Sequence, residues 1–416
     1  MLAGISICLI LMVGRFYVTG HIAGGDAVYY YINLRSLVMD QDFSFANEYQ
    51  HFYQQISPFT GNRKVASIPE PNPITGRLPN KYPLGSAILL IPFFVVGHIL
   101  TFMLNGLGAS LALDGYSTIY QLSAALGNLF YGLLGLIIIY RLGRKIYAEN
   151  LALAGVVTIC GATPLIYYLT MEPMMSHGMS AFAVAAFISY WHGTRPRRSM
   201  LQWFILGLIG GVMGVIRYQD ATFLLIPVAD WVILRFQPGT GRSWSRGVLE
   251  LITCAAGALL ISCLQFYVND CLYGSPFATG YAGEDFLHWK SPRLLATLFG
   301  AQSGLLLWSP AICFALIGLL GFRRKFPVEG ALLGLAFVLQ WYLVSSWSAP
   351  TQGDSFGNRM LLNCAVIFGL GLMAFLDRIR RRTSLYSAAL VLFAGFIGLN
   401  GILAGFYCFR IIGNPY

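Results

Sequence analysis

Charge is the scarcest resource in this chain: Asp, Glu, Lys and Arg make up 11% of 416 residues, against 56% hydrophobic ones and a mean hydropathy of +0.64. A soluble domain carries about 25% charged residues, so a water-soluble globular protein is excluded. Acids are the rarer sign, 17 against 27 Lys and Arg. The basic residues fall in short clusters between apolar runs, which excludes the continuous basic groove of a nucleic-acid binder. Of eight cysteines, none forms a CxxC pair and none has a Cys/His metal spacing; lying mostly inside apolar runs, they read as packing residues. Length alone would suggest two or three soluble domains, but repeated apolar runs of about 20 residues make one bundle of spanning helices instead.

The basic clusters order that bundle. RLGRK (Arg141 to Lys145), TRPRR (Thr194 to Arg198), GRSWSR (Gly241 to Arg246), FRRK (Phe322 to Lys325) and RIRRR (Arg378 to Arg382) leave room for two spans between each consecutive pair. Basic loops favour the cytoplasmic side. With all five there, spans are predicted near 117–140, 150–169, 177–193, 201–216, 221–236, 248–268, 306–321, 329–346, 360–376 and 384–406. The opening MLAGISICLILMVGRFYV lacks the charged start and cleavage site of a secretory signal and reads as a further span. The expectation is an all-α polytopic membrane protein of about 11 transmembrane helices in a single domain, 1–416. Residues 1–19 are the first span, 20–116 an outer loop and 117–416 the remaining spans. The outer side then collects MEPMMSHG (Met171 to Gly178), RYQD (Arg217 to Asp220), the stretch from Asn269 to Gln302, and SAPTQGDSFGNR (Ser348 to Arg359).

Residues 84–104, LGSAILLIPFFVVGHILTFML, are long enough to cross. Crossing from a cytoplasmic N-terminus would put all five basic clusters outside, against the charge rule. With Pro92, Gly97 and His98 inside it, the segment is predicted to lie in the interface or dip part-way in. The rival solution lets it span and turns the N-terminus outward, separating Asp26 from the other polar loops.

Those loops hold Asp26, Asp40, Asp42, Lys81, Glu172, His177, Arg217, Gln219, Asp220, Glu284, Asp285, Lys290, Arg293, Asp354 and Arg359. A charge at the edge of hydrocarbon tends to face a polar cavity or another charge, so their gathering on one side suggests a site, although any one of them alone reads equally as a solvated loop charge. Asp26 follows Gly24 and Gly25 in GGDAVYYYINLRS and opens a helical run in which Tyr29, Tyr30 and Asn33 recur at helical spacing. Helix capping explains Asp26 as well as chemistry does. Tyr30 and its neighbours line a sugar pocket or anchor a juxtamembrane helix at the headgroups.

The order apolar span, GD-x-x-x-YY, a run ending near MDQDF, and KYPLG opening an apolar helix resembles the first periplasmic loop of the GT-C superfamily of glycosyltransferases. The likeness is to its bacterial branch, related to aminoarabinose transferases and protein O-mannosyltransferases. The resemblance covers most of the chain and implies a GT-C bundle with juxtamembrane helices in the first outer loop. It implies transfer of a sugar from a polyprenyl-phosphate donor to an extracytoplasmic acceptor, with inversion, in a bacterial inner membrane whose active site faces the periplasm or exterior. By resemblance Asp26 matches the essential Asp, Lys81 the Lys before the Pro that opens a juxtamembrane helix, and Glu172 the acid of a later outer loop, where the family often shows Asp.

The chemistry such a transfer needs is a base for the acceptor and fixed cations for the departing phosphate. Asp26 is the candidate base, with Glu172 or Asp220 as helper. Lys81, Arg217 and Arg359 are candidate phosphate partners. His177 is added as a substrate contact, and GDSFG reads as a turn holding Asp354 and Arg359 near the membrane surface. With three cations at hand no cofactor and no metal are expected; a divalent cation held by Asp26, Glu172 and Asp220 is the alternative. The partners are the lipid-linked donor, the acceptor and membrane lipids, with no nucleic acid. Rival functions are a lipid-linked glycan polymerase or ligase, a transporter or flippase, against which no internal repeat of interrupted spans is found, and a non-catalytic scaffold.

Overall fold

The computed structural model describes residues 10, 12–14, 25–54, 68–195, 197–236, 244–281, 288–348 and 355–408, and these contain helices and no β-strand. Helix α1 (Asp26–Arg35) starts from Gly25, whose φ of 57° and ψ of −132° suit a residue without Cβ. It runs into a π-helical turn, Ser36–Asp40. Helices α2 (Ala46–Gln54) and α3 (Gly85–Gly106) complete the first loop. The bundle follows: α4 (Thr118–Arg144), α5 (Glu149–Gly161), α6 (Leu165–Thr170), α7 (His177–Thr194), α8 (Met200–Ile216), α9 (Leu225–Arg235) and α10 (Trp244–Tyr273). Short α11 (Leu294–Phe299) and α12 (Leu305–Trp308) lead to α13 (Ala311–Lys325), α14 (Pro327–Ser346), α15 (Ala365–Ile379) and α16 (Thr383–Cys408).

Each of the ten spans predicted after residue 116 meets helix with its ends moved by a few residues, and four differ inside. The stretch 150–169 is split before α6, and 306–321 is split before α13, each time at a proline (Pro164, Pro310) that lacks the N–H a continuing helix needs. Spans 221–236 and 360–376 open as 3₁₀ turns, Tyr218–Leu224 and Arg359–Cys364. Six described helices are long and apolar enough to cross a membrane, namely α3, α4, α10, α14, Arg359–Ile379 and α16. The chain is an integral membrane protein. The first span predicted at 1–19 lies mostly outside the described residues.

Glycines let the long helices approach closely. A Cβ on Gly207 of α8 would stand 1.9 Å from the Cys254 carbonyl oxygen of α10, and one on Gly257 would stand 2.3 Å from that of Phe204. Small residues at such crossings are how apolar helices gain packing where lipid supplies no hydrophobic drive between them.

Charge separates the two ends of the bundle. At one end Lys325 Nζ donates to the Ile146 carbonyl at 3.0 Å, Arg195 pairs with Asp230 at 2.7 Å and with Glu329, and Arg235 lies over the Trp244 ring. Residues of three of the five basic clusters, and Ile146 directly after a fourth, are thus tied into this end. At the other end the Asp26, Glu172, Arg217 and Arg359 loops meet, and Tyr273 Oη donates to the Asn80 carbonyl at 2.8 Å.

Helix α3 is tied to that second end at its start. The Leu84 N–H before it donates to Gln265 Oε1 at 2.7 Å, and Gly85 packs on the Val215 carbonyl at the end of α8. Its middle packs on the first half of α4, with Phe94 and Tyr120 centroids 5.0 Å apart, His98 Nδ1 2.7 Å from Tyr120 Oη, and the Phe93 centroid 5.6 Å from that of Phe130 and 5.9 Å from that of Tyr131. Phe102 and Met103 on its far side are exposed.

Candidate functional site

Asp26 occupies the first helical position of α1, with Gly25 as the cap, and its carboxylate turns away from its own helix. Arg359 Nη2, 333 residues on, donates to Asp26 Oδ2 at 2.8 Å. This pair puts Asp26 at the same end as the other polar loops, which removes the rival arrangement that separated them. Burial pushes the Asp26 carboxyl up, but Arg359, then Lys81, then a hydrogen bond from Tyr82 outweigh it and hold it below its ordinary value. It is therefore ionised at neutral pH.

Lys81 sits beside Tyr82, its Nζ 5.4 Å from the ring centroid. The chain there is pinned from three sides. Asn80 Nδ2 donates to the Tyr29 carbonyl at 2.8 Å, Asn33 Nδ2 to the Tyr82 carbonyl at 3.1 Å, and Gly280 presses so closely that a Cβ would lie 2.5 Å from Lys81 Cα. Tyr30 stacks on Tyr82 with centroids 4.4 Å apart and accepts a hydrogen bond from Ser176 Oγ at 2.8 Å. Tyr30 lies within electrostatic reach of Arg217, Asp26 and Arg359 together. Tyr168, within reach of Arg359, Glu172 and Asp26, connects Glu172 to the same group. Glu172 itself is half-buried in the turn before α7, its N–H donating to the Tyr167 carbonyl at 3.2 Å.

Arg217 is held by neutral acceptors. Its Nη1 donates to His177 Nδ1, its Nη2 donates to Gln219 Oε1 at 3.2 Å and lies 3.0 Å from Met360 Sδ. Among the described residues it forms no ion pair. Since His177 accepts at Nδ1, the neutral ring carries its proton on Nε2, which is buried without a partner among the described residues.

Asp220 stands deeper. It is fully buried, and both carboxylate oxygens are engaged, Oδ2 by Ser180 Oγ at 2.5 Å and Oδ1 by Asn363 Nδ2 at 2.7 Å. Burial pushes its carboxyl up to about 6 against the opposing pull of Arg217 and these two bonds. Asp354, Glu284 and Asp285 lie outside the described residues. Among the described residues no group of three His, Cys, Asp or Glu side chains is placed to hold a metal ion. Asp26 faces Arg359 and Asp220 faces Ser180 and Asn363, so these carboxylates do not converge as a cation cradle would require.

Several residues of this layer went unread in the sequence. Tyr82 and Tyr168 are lost among 23 tyrosines. Gln340 and Asn363 are lone amides in apolar runs, and that was a usable signal, because an amide at such a depth has to find a partner. Gln219 Nε2 donates to Gln340 Oε1 at 3.2 Å and to the Met360 carbonyl at 2.8 Å, and Asn363 Nδ2 reaches Gln340 Oε1 at 2.9 Å.

No protein-family model matches the chain, and no curated protein matches it in sequence. Solved structures do. A crystal structure of ArnT from Cupriavidus metallidurans in the apo state matches with a TM-score of 0.51 at 15% identity, over 97% of this chain and 63% of that one. ArnT from the same organism bound to undecaprenyl phosphate matches with a TM-score of 0.47 at 15% identity, over 97% and 64%. The archaeal oligosaccharyltransferase AglB from Archaeoglobus fulgidus, in complex with an inhibitory peptide and a dolichol-phosphate, matches with a TM-score of 0.45 at 12% identity, over 98% and 55%. The chain thus spans less than two thirds of the length of each. Its fold is similar to that of apo ArnT.

Proposed function

We propose that this protein is a GT-C glycosyltransferase that moves a sugar from a polyprenyl-phosphate donor to an extracytoplasmic acceptor. The observation that carries the reading is the Asp26–Arg359 pair with Lys81 beside it: a carboxylate and cations on one wall, at the end of the bundle opposite the basic clusters. The likeness of fold to ArnT supports it.

In this reaction the acceptor oxygen attacks the anomeric carbon, the bond from that carbon to the phosphate oxygen breaks, and configuration inverts. Asp26 takes the acceptor proton, and Lys81, Arg217 and Arg359 stabilise the polyprenyl phosphate as charge grows on it. Paired with Arg359, Asp26 is a weak base. A phosphate that draws Arg359 to itself leaves Asp26 less compensated and raises its basicity. Glu172 is the second carboxylate of the wall. The cations serve the phosphate without a metal in this scheme, so chelation by EDTA is expected to leave turnover unchanged.

The loop end faces the periplasm or exterior of a bacterial inner membrane, and α3 lies in the outer interface. Its ties to the ends of α8 and α10 support that placement. A cysteine at exposed Thr279, in a background without the native cysteines, should label from outside intact cells, and one at Arg324 only after permeabilisation. The central test incubates purified protein with polyprenyl-phosphate sugars and measures released polyprenyl phosphate. Turnover by the wild type that equals that of Asp26→Asn would overturn the assignment of Asp26.

A further inference from the structure

Beneath the site a row of amides joins buried Asp220 to Arg217. Asp220 Oδ1 accepts from Asn363 Nδ2 at 2.7 Å, and the same nitrogen donates to Gln340 Oε1 at 2.9 Å. Gln340 Oε1 also accepts from Gln219 Nε2 at 3.2 Å, and Gln219 Oε1 accepts from Arg217 Nη2 at 3.2 Å. Gln340 Nε2 is turned the other way, to the Gln219 carbonyl at 3.1 Å and Thr222 Oγ1 at 2.6 Å.

The sense of this row is not free. An ionised carboxylate only accepts, so Asp220 compels Asn363 to present its nitrogen. That nitrogen selects the oxygen of Gln340, which selects the nitrogen of Gln219, leaving the Gln219 oxygen for the guanidinium. One atom records the constraint: Asn363 Oδ1 is buried without a partner among the described residues. A side-chain amide that could turn at will would satisfy its oxygen.

We propose that Asp220, Asn363, Gln340 and Gln219 are positioning residues that set the polarity of this row and so aim Arg217 at the phosphate of the lipid-linked donor. The inference rests on the glycosyltransferase reading for the phosphate, while the aiming of Arg217 is a property of the protein alone. No proton moves along the row. Asp220 acts by fixing which end of each amide faces its neighbour.

Exchange of the two end residues separates polarity from packing. Asp220→Asn with Asn363→Asp keeps composition, volume and a hydrogen bond between the two positions. It asks Gln340 for a donor where the row needs its acceptor, setting the nitrogens of Gln340 and Gln219 against each other. A purely structural role is restored by this exchange; an aiming role is not. Gln340→Met cuts the row in the middle while leaving Asp220 with Ser180 and Asn363, and serves if the Asp220 variants do not fold.

Two readouts are taken on the full chain in lipid nanodiscs. The ¹⁵N shift of His177 Nδ1, an acceptor from Arg217 in the wild type, reports the aim of Arg217 without any ligand. Binding of undecaprenyl phosphate reports its consequence. Expected for Asp220→Asn, the exchange variant and Gln340→Met is a displaced Nδ1 signal and affinity weaker by about tenfold, the weight of a hydrogen bond to a charged group. In an Arg217→Gln background Gln340→Met should weaken affinity no further. A wild-type Nδ1 signal in these variants, or full restoration by the exchange, would overturn the proposal. Displaced Nδ1 signals together with no undecaprenyl phosphate binding by the wild type would keep the aiming row and sink the phosphate assignment instead.

Discussion

Removing the Asp26 charge should pull binding and turnover in opposite directions. Arg359 is engaged by Asp26 at 2.8 Å, with side-chain exposures of 17% and 28%. A phosphate must compete with that carboxylate. A hydrogen bond between charged groups is worth about 1.5–3 kcal/mol, and partial exposure places this one near the lower limit. Asn keeps an oxygen for Arg359, so only part of that is released. Affinity for polyprenyl phosphate is expected to rise about three- to tenfold in Asp26→Asn, taking ~1.4 kcal/mol as tenfold. Turnover loses its base and should fall ~10²–10⁴-fold. Equilibrium binding of polyprenyl phosphate to protein in nanodiscs, beside a release assay on the same preparation, measures both. Unchanged or weaker binding in Asp26→Asn would refute the idea that carboxylate and phosphate compete for Arg359.

Three further outcomes are expected. Asp220, raised to about 6, faces Arg217, Ser180, Asn363 and Cys364. Protonated, it no longer demands a donor from Asn363, so the KM for the donor should rise as pH falls through about 6, and Asp220→Asn should flatten that limb. Its raised value means that the folded protein holds this proton more tightly than the unfolded chain, so Asp220 contributes stability below about pH 4 that is lost as pH rises to about 6; acid weakening of binding by this group is therefore not unfolding. Asp230→Asn leaves Arg195 and Arg198 short of the buried carboxylate that both approach, which should cost about 3–5 kcal/mol, seen as a lower thermal midpoint in detergent with turnover in the cold retained. Gly280→Ala drives a Cβ to within 2.3 Å of Tyr273 Oη and 2.5 Å of Lys81 Cα, and should raise the donor KM and lower the thermal midpoint, measured by initial rates and a melting scan.

The helices were legible because two independent patterns agreed, apolar runs of spanning length and basic clusters at every second interval. Their interruptions were less so: Pro164 and Pro310 stand in the sequence, but a proline within a run marks a kink, a break or a first turn equally well. The gathering of Asp26, Glu172, Arg217 and Arg359 at one end followed from the charge rule, whereas the pairing of Asp26 with Arg359 did not, because 333 intervening residues carry no trace of which loop meets which. The row from Asp220 to Gln219 was hidden for another reason. Asp220 in RYQD resembled the other loop acids, and only tertiary packing put Ser180 and Asn363 on its two oxygens and buried it under the site.

The different company kept by the two arginines also sets what a ligand must displace at each. Arg359 begins engaged to a carboxylate, and something must displace that partner before it can serve. Arg217 rests on an imidazole, an amide and a thioether and forms no ion pair among the described residues. On the proposed function, a lipid phosphate engages Arg217 without displacing a carboxylate, but must trade places with Asp26 to engage Arg359.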